Sequence, residues 1–83
     1  MPLDSKVLVH WRDARLFPNT YSIDEASALN MAQFETLGYL ISRDSTTTKL
    51  ASEHNDEGQY RDVILIPTGS IISIRRLSLG SLM

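Results

Sequence analysis

Few side chains in this 83-residue chain can do chemistry: it has two histidines, ten Asp and Glu, eight Lys and Arg, and no cysteine. The densest group is Glu53, His54, Asp56 and Glu57. Oxygen plus imidazole ligands can hold a divalent ion. The spacing, however, matches no calcium loop, no zinc site and no His-x-x-x-His pattern, so it reads as a solvated hairpin tip. His10 has no second histidine near it in sequence and reads as a side chain on a half-exposed sheet face. Gly69-Ser70 lacks the Gly-x-Ser-x-Gly elbow that exposes a nucleophilic hydroxyl. There is no glycine-rich phosphate loop and no carboxylate pair to divide between acid and base roles. The absence of cysteine excludes thiol chemistry and Cys-ligated zinc. The expectation is a protein that is not an enzyme, with no catalytic residue, no metal and no cofactor.

Basic side chains offer a second kind of chemistry. The formal charge of −2 provides no overall basic field. Arg43, Lys49, Arg75 and Arg76, together with Arg61, can still form a local basic patch. On a symmetric oligomer such a rim would attract phosphates, with a log-log salt slope of about −0.7 per contact on a single strand. Tyr39 or Tyr60 would supply a stacking surface. The competing and preferred reading is structural: Arg75 and Arg76, adjacent on a strand, point to opposite faces and pair with Asp62, Asp44 or Glu35.

The elements that must position these groups are mostly strands. Val7, Val9 and Trp11 alternate with Leu8, His10 and Arg12, which predicts a strand over 6–14 with one buried face. Pro18 ends that pattern. Ser22 and Glu25 match a capping box, and 23–34 is rich in helix formers, which predicts one short surface helix. Strands are then predicted over 36–42, with Gly38 a bend or a close backbone approach, and over 46–52. Residues 60–66 read as a strand whose apolar run Val63-Ile64-Leu65-Ile66 implies burial on both faces. After the turn Pro67–Ser70, a last strand covers 71–77. Five short strands and tight connections predict a small, strongly bent barrel, since closure removes exposed edges. The chain reads as one domain over 1–83, with tails at 1–5 and 78–83.

This order of elements resembles the Sm-like family, a five-stranded SH3-like barrel that commonly assembles into rings. The similarity begins at Val7-Leu8-Val9. It continues in Gly38-Tyr39-Leu40-Ile41-Ser42-Arg43-Asp44, which is similar to the glycine-x-hydrophobic-x3-aspartate half of the Sm signature, and ends in Ile66-Pro67-Thr68-Gly69-Ser70-Ile71-Ile72-Ser73-Ile74. The resemblance implies a very short turn before the last strand and pairing of the last two strands with neighbouring subunits. Thr48 stands where that family carries its RNA-binding asparagine, and Pro67-Thr68 where it carries Arg-Gly, so the uridine pocket does not carry over. The segment 15–35 is also far longer than the family's first turn. The chain likewise resembles small proteins of phage and bacterial genomes.

A barrel this small cannot enclose all of its apolar residues. Trp11, Tyr39, Leu40, Ile64, Ile66 and Ile74 are the expected core, and Ile71, Ile72, Leu77, Leu79 and Leu82 are surplus near a chain end. The expected oligomer interface lies on the last two strands: Ile64, Ile66, Ile71, Ile72, Ile74 and Leu77. The reading is a non-enzymatic, self-assembling barrel, a homo-oligomer and in the extreme a ring; RNA or single-stranded nucleic-acid binding by the arginine rim is the alternative. No segment is apolar enough to span a membrane, and Met1–Lys6 lacks a signal-peptide pattern, so a cytoplasmic protein is expected.

Overall fold

A computed structural model describes residues 5–77. The elements are β1 (Lys6–Asp13), α1 (Ile23–Ser27), β2 (Ala32–Arg43), β3 (Thr47–His54), β4 (Tyr60–Pro67), a 3₁₀ turn (Thr68–Ser70) and β5 (Ile71–Arg76). The strands form one antiparallel sheet in the order β4-β3-β2-β1-β5. The protein is therefore mainly β, with one short helix between β1 and β2.

The sheet is rolled rather than flat. Its two edge strands are joined by the 3₁₀ turn alone, so Pro67 and Ile71 lie at most ~14 Å apart. In a flat sheet of five strands the edges would be ~19 Å apart. Two bulges assist the roll, because an unpaired extra residue bends its strand. The β2–β3 register shifts between Leu40 and Ser42, and the β1–β5 register shifts between His10 and Trp11, leaving Ile41 and Ile72 unmatched. No ladder joins β4 to β5 among the described residues, so both edges remain open.

Gly38 lies where β2 passes from its β1 partner, Val7, to its β3 partners at Tyr39 and Leu40. A Cβ there would lie 2.8 Å from the Ala51 carbonyl oxygen and 3.2 Å from Leu50 Cβ. The glycine is thus a close-approach residue, which is one of the two roles its position suggested.

The core is small and sits on one face of the sheet. Val7, Val9, Trp11, Leu40, Leu50 and Ile66 form it, with Ile71 and Ile74 packed against its side. Trp11 satisfies its indole N–H on Thr36 Oγ1 at 2.9 Å and stacks obliquely on Phe34, with ring centroids 5.3 Å apart. Burying an indole without a hydrogen-bond partner would be costly, and Thr36 removes that cost.

Three expectations need correction. The helix stops after Ser27 and does not reach 34: Met31 precedes β2, and Phe34 lies within it, paired with Trp11. The capping box is present, Ser22 Oγ accepting from Glu25 N and Glu25 Oε1 from Ser22 N, yet no residue of α1 is buried. Without an apolar face against the body, a helix this short has no reason to propagate. Second, β4 is not buried on both faces, because it is an edge strand; Val63, Ile64 and Leu65 are 47%, 37% and 58% exposed. Third, Ile64 therefore leaves the core, and Tyr39 is only half buried.

Candidate assembly site

The two free edges are the most conspicuous surfaces of the molecule. On β4, three consecutive large apolar residues face solvent beside unpaired backbone groups. That combination is a template for pairing with another chain. On β5, Ile72 is the bulged residue and is exposed, while Ile71 and Ile74 are half buried against the core. Of the residues expected at the interface, Ile66 is fully buried within its own chain and cannot meet a partner. Leu77 is half buried, its N–H donating to the Lys6 carbonyl at 2.8 Å, and Leu79 and Leu82 lie outside the described residues. What the sequence pattern missed is the solvent exposure of Val63 and Leu65. Only the strand order reveals it, because a continuous apolar run reads the same in a central strand and in an edge strand.

The β2–β3 turn is held to the 3₁₀ turn by a hydroxyl network. Asp44 Oδ1 accepts the N–H groups of Thr46 and Thr47 at 2.8 and 2.7 Å. Thr68 N donates to the Thr46 carbonyl, and Thr68 Oγ1 donates to the Asp44 carbonyl at 2.8 Å. Since that proton is used, the buried Thr48 hydroxyl must be the donor in its 2.9 Å contact with Thr68 Oγ1. The amides of Thr47 and Thr46 also hold the Asp44 carboxyl below the ordinary carboxylate range. Thr48 and Thr68 are thereby committed to one another, and the pair fastens the β2–β3 turn to the 3₁₀ turn.

The basic residues are not gathered. No ladder pairs them with one another: Lys49 lies on β3, Arg43 on β2, and Arg75 and Arg76 on β5, which pairs only with β1. Arg75 is registered with Leu8 and Arg76 with Val7, which puts the two arginines on opposite faces. Neither makes the ion pair expected of it: among the described residues the one ion pair is Arg61 with Glu53.

The hairpin tip of β3 and β4 gathers aromatic rings instead. His54 stacks on Tyr60 at 4.5 Å with planes 9° apart, Tyr39 meets both edge-on, and Lys6 Nζ lies 5.8 Å from the Tyr39 centroid. A cleft of about 490 Å³ beside them is lined by Glu53, His54, Asn55, Gln59, Tyr60 and Arg61. Of its lining residues Glu53 and Arg61 carry opposite charges and pair with one another, which leaves no uncompensated cation there for phosphate. The turn itself is self-satisfied: Asn55 Oδ1 accepts from Glu57 N and Gln59 N, and Gly58 supplies a φ of 78°. Glu53 holds the Arg61 guanidinium above its ordinary range, which occupies both charges. His10 Nε2 lies 2.9 Å from Gln33 Oε1 on an exposed face. Among the described residues no three His, Asp or Glu side chains converge as a metal site would require, and no helix is long and apolar enough to cross a membrane.

No family model matches the chain, and neither does any curated protein or solved structure.

Proposed function

We propose that this chain is a non-enzymatic assembly module, a divergent Sm-like small barrel that self-associates through its free β4 and β5 edges. The observation that carries the reading is the exposed Val63-Ile64-Leu65 run on an open edge, with a second apolar edge at β5 available to receive it. Pairing β4 of one copy with β5 of another satisfies both sets of edge amides and is a head-to-tail contact. Repeated with a closing rotation, such a contact gives a ring. The titratable groups with perturbed pKa support a structural rather than catalytic role, since Glu25, Asp44 and Arg61 are each engaged by a cap, a turn or an ion pair. Light scattering at micromolar concentration is the direct test: a multiple of the chain mass is expected, and a monomer rejects the proposal.

Nucleic-acid binding by the oligomer is the second reading, favoured by one observation. Arg43, Arg75 and Arg76 make no ion pair with any described residue. Salt-sensitive retention of single-stranded RNA or DNA, weakened by Arg75→Ala or Arg76→Ala, would support it. No binding at low salt would reject it.

A further inference from the structure

β4 carries a backbone outlier in mid-strand. Asp62 has a φ of 58°, in the left-handed region that side chains other than glycine rarely enter. The ladder with β3 is broken at the same point. Ala51 pairs with Val63 and Glu53 with Arg61, but Ser52 and Asp62 do not pair. The register resumes unchanged beyond the break, so no residue has been inserted or lost. A departure of this kind on an exposed edge points to a task at that edge.

The alternation of the ladder shows what the edge offers. Alternate residues of an antiparallel strand turn N–H and C=O toward the existing neighbour, and those between turn theirs away. Thr68 N donates to the Thr46 carbonyl at 3.0 Å, which marks Thr47 and Pro67 as a pair without mutual hydrogen bonds. Counting back by twos, Leu65, Val63 and Arg61 fall on the residues that aim their backbone at the free side. Arg61 departs from this, since its carbonyl accepts from Ser52 Oγ on β3 at 3.4 Å. Pro67, at the other end, has no N–H to present. Complete donor and acceptor sets therefore remain at Val63 and Leu65, between a turned backbone at Asp62 and a missing donor at Pro67.

We infer that Asp62 and Pro67 are stops that confine strand addition on β4 to residues 63–66 and keep the edge from growing into an open-ended stack. Edge strands that carry a charge, a proline or a broken ladder resist indiscriminate pairing. Aspartate suits the first stop because its short side chain tolerates the left-handed conformation. The inference rests on reading β4 as a pairing edge, but not on which strand of a second copy meets it.

The test changes the backbone preference at position 62 without adding a large apolar side chain. Asp62→Thr introduces a β-branched side chain that disfavours positive φ, whereas Asp62→Asn removes the same charge and tolerates it. Variants of the whole chain are incubated at micromolar concentration and read by thioflavin T fluorescence and sedimentation velocity. Asp62→Thr is expected to raise the fluorescent, rapidly sedimenting fraction at least about tenfold over the parent chain, and Asp62→Asn to leave it within about twofold. Pro67→Thr restores the donor at the other stop and should shift that fraction in the same direction. It decides the matter if far-ultraviolet circular dichroism shows Asp62→Thr to be unfolded. A folded Asp62→Thr or Pro67→Thr chain that assembles as the parent does removes that stop, and equal growth in Asp62→Asn overturns the backbone role of Asp62. A monomeric parent chain whose Asp62→Thr and Pro67→Thr variants grow rejects the proposed self-assembly but leaves the stops standing. An oligomeric parent chain with unchanged variants does the reverse.

Discussion

Of the three chain reversals that join neighbouring antiparallel strands, β2–β3 and β1–β2 are ordered in opposite ways. The β2–β3 turn is short, and its groups reach outward: Asp44 caps Thr46 and Thr47, and Thr68 ties the turn to a segment 24 positions away. The β1–β2 connection is long, contains a capped helix, and keeps every hydrogen bond within four positions. The first is therefore part of the cooperative unit that includes Leu50 and Ile66. The second has local shape but no share in the core. Good local signals make an element recognisable, whereas stability comes from what that element buries.

Substitutions that separate the two regions follow from this difference. The largest effect is expected in the core: Leu50→Ala removes a fully buried side chain and should cost about 2–5 kcal/mol in urea denaturation. Ile23→Ala, of similar chemistry but on the arm, should change the stability of the dissociated chain by less than about 0.5 kcal/mol. Equal losses at the two positions would show that the arm is packed after all. Gly38→Val forces a Cβ against the Ala51 carbonyl and should cost roughly 1–3 kcal/mol, read from the same denaturation midpoint.

Smaller effects separate the two reversals themselves. Thr48→Val keeps the buried volume but deletes the hydroxyl that donates to Thr68, for an expected loss of about 0.5–1.5 kcal/mol. Ser22→Ala removes a cap that is ordinarily worth about 1 kcal/mol to its helix. Because α1 is not coupled to the core, global stability should hardly move, whereas amide exchange at Glu25 and Ala26 should accelerate. A full-sized global loss would contradict the decoupling. Acid titration adds a directional check. Asp44 has a lowered pKa in the folded chain, so its contribution is present in full above about pH 4, the ordinary aspartate value, and is lost as the pH falls through the folded pKa. Asp44→Asn should flatten that part of the acid-unfolding profile.

Much of the fold was legible from residue order. Alternation at Val7, Val9 and Trp11 defined β1 and its buried face, because a strand repeats every two residues. The Ser22–Glu25 box located the helix start, since capping needs only neighbours. Its end was not legible: residues up to 34 favour helix intrinsically, but Phe34 gains more by stacking on Trp11 across the β1–β2 ladder. The candidate site was legible only as a surplus of apolar residues. Arg75 and Arg76 were visible as charges and their opposite faces followed from adjacency, yet their lack of acidic partners depended on which strands became neighbours.

Residue order therefore settled only local features: strand periodicity, the cap, the Asn55–Gly58 turn, the glycine at 38, and the exclusion of thiol chemistry. Tertiary structure alone decided which strands became edges. An apolar run such as Val63-Ile64-Leu65 carries no mark of whether another strand will cover it, because ladder pairing is made by residues distant in sequence. That decision turned an expected double-sided core strand into an exposed surface, and it left the β1–β2 arm with a helix but nothing to bury it against.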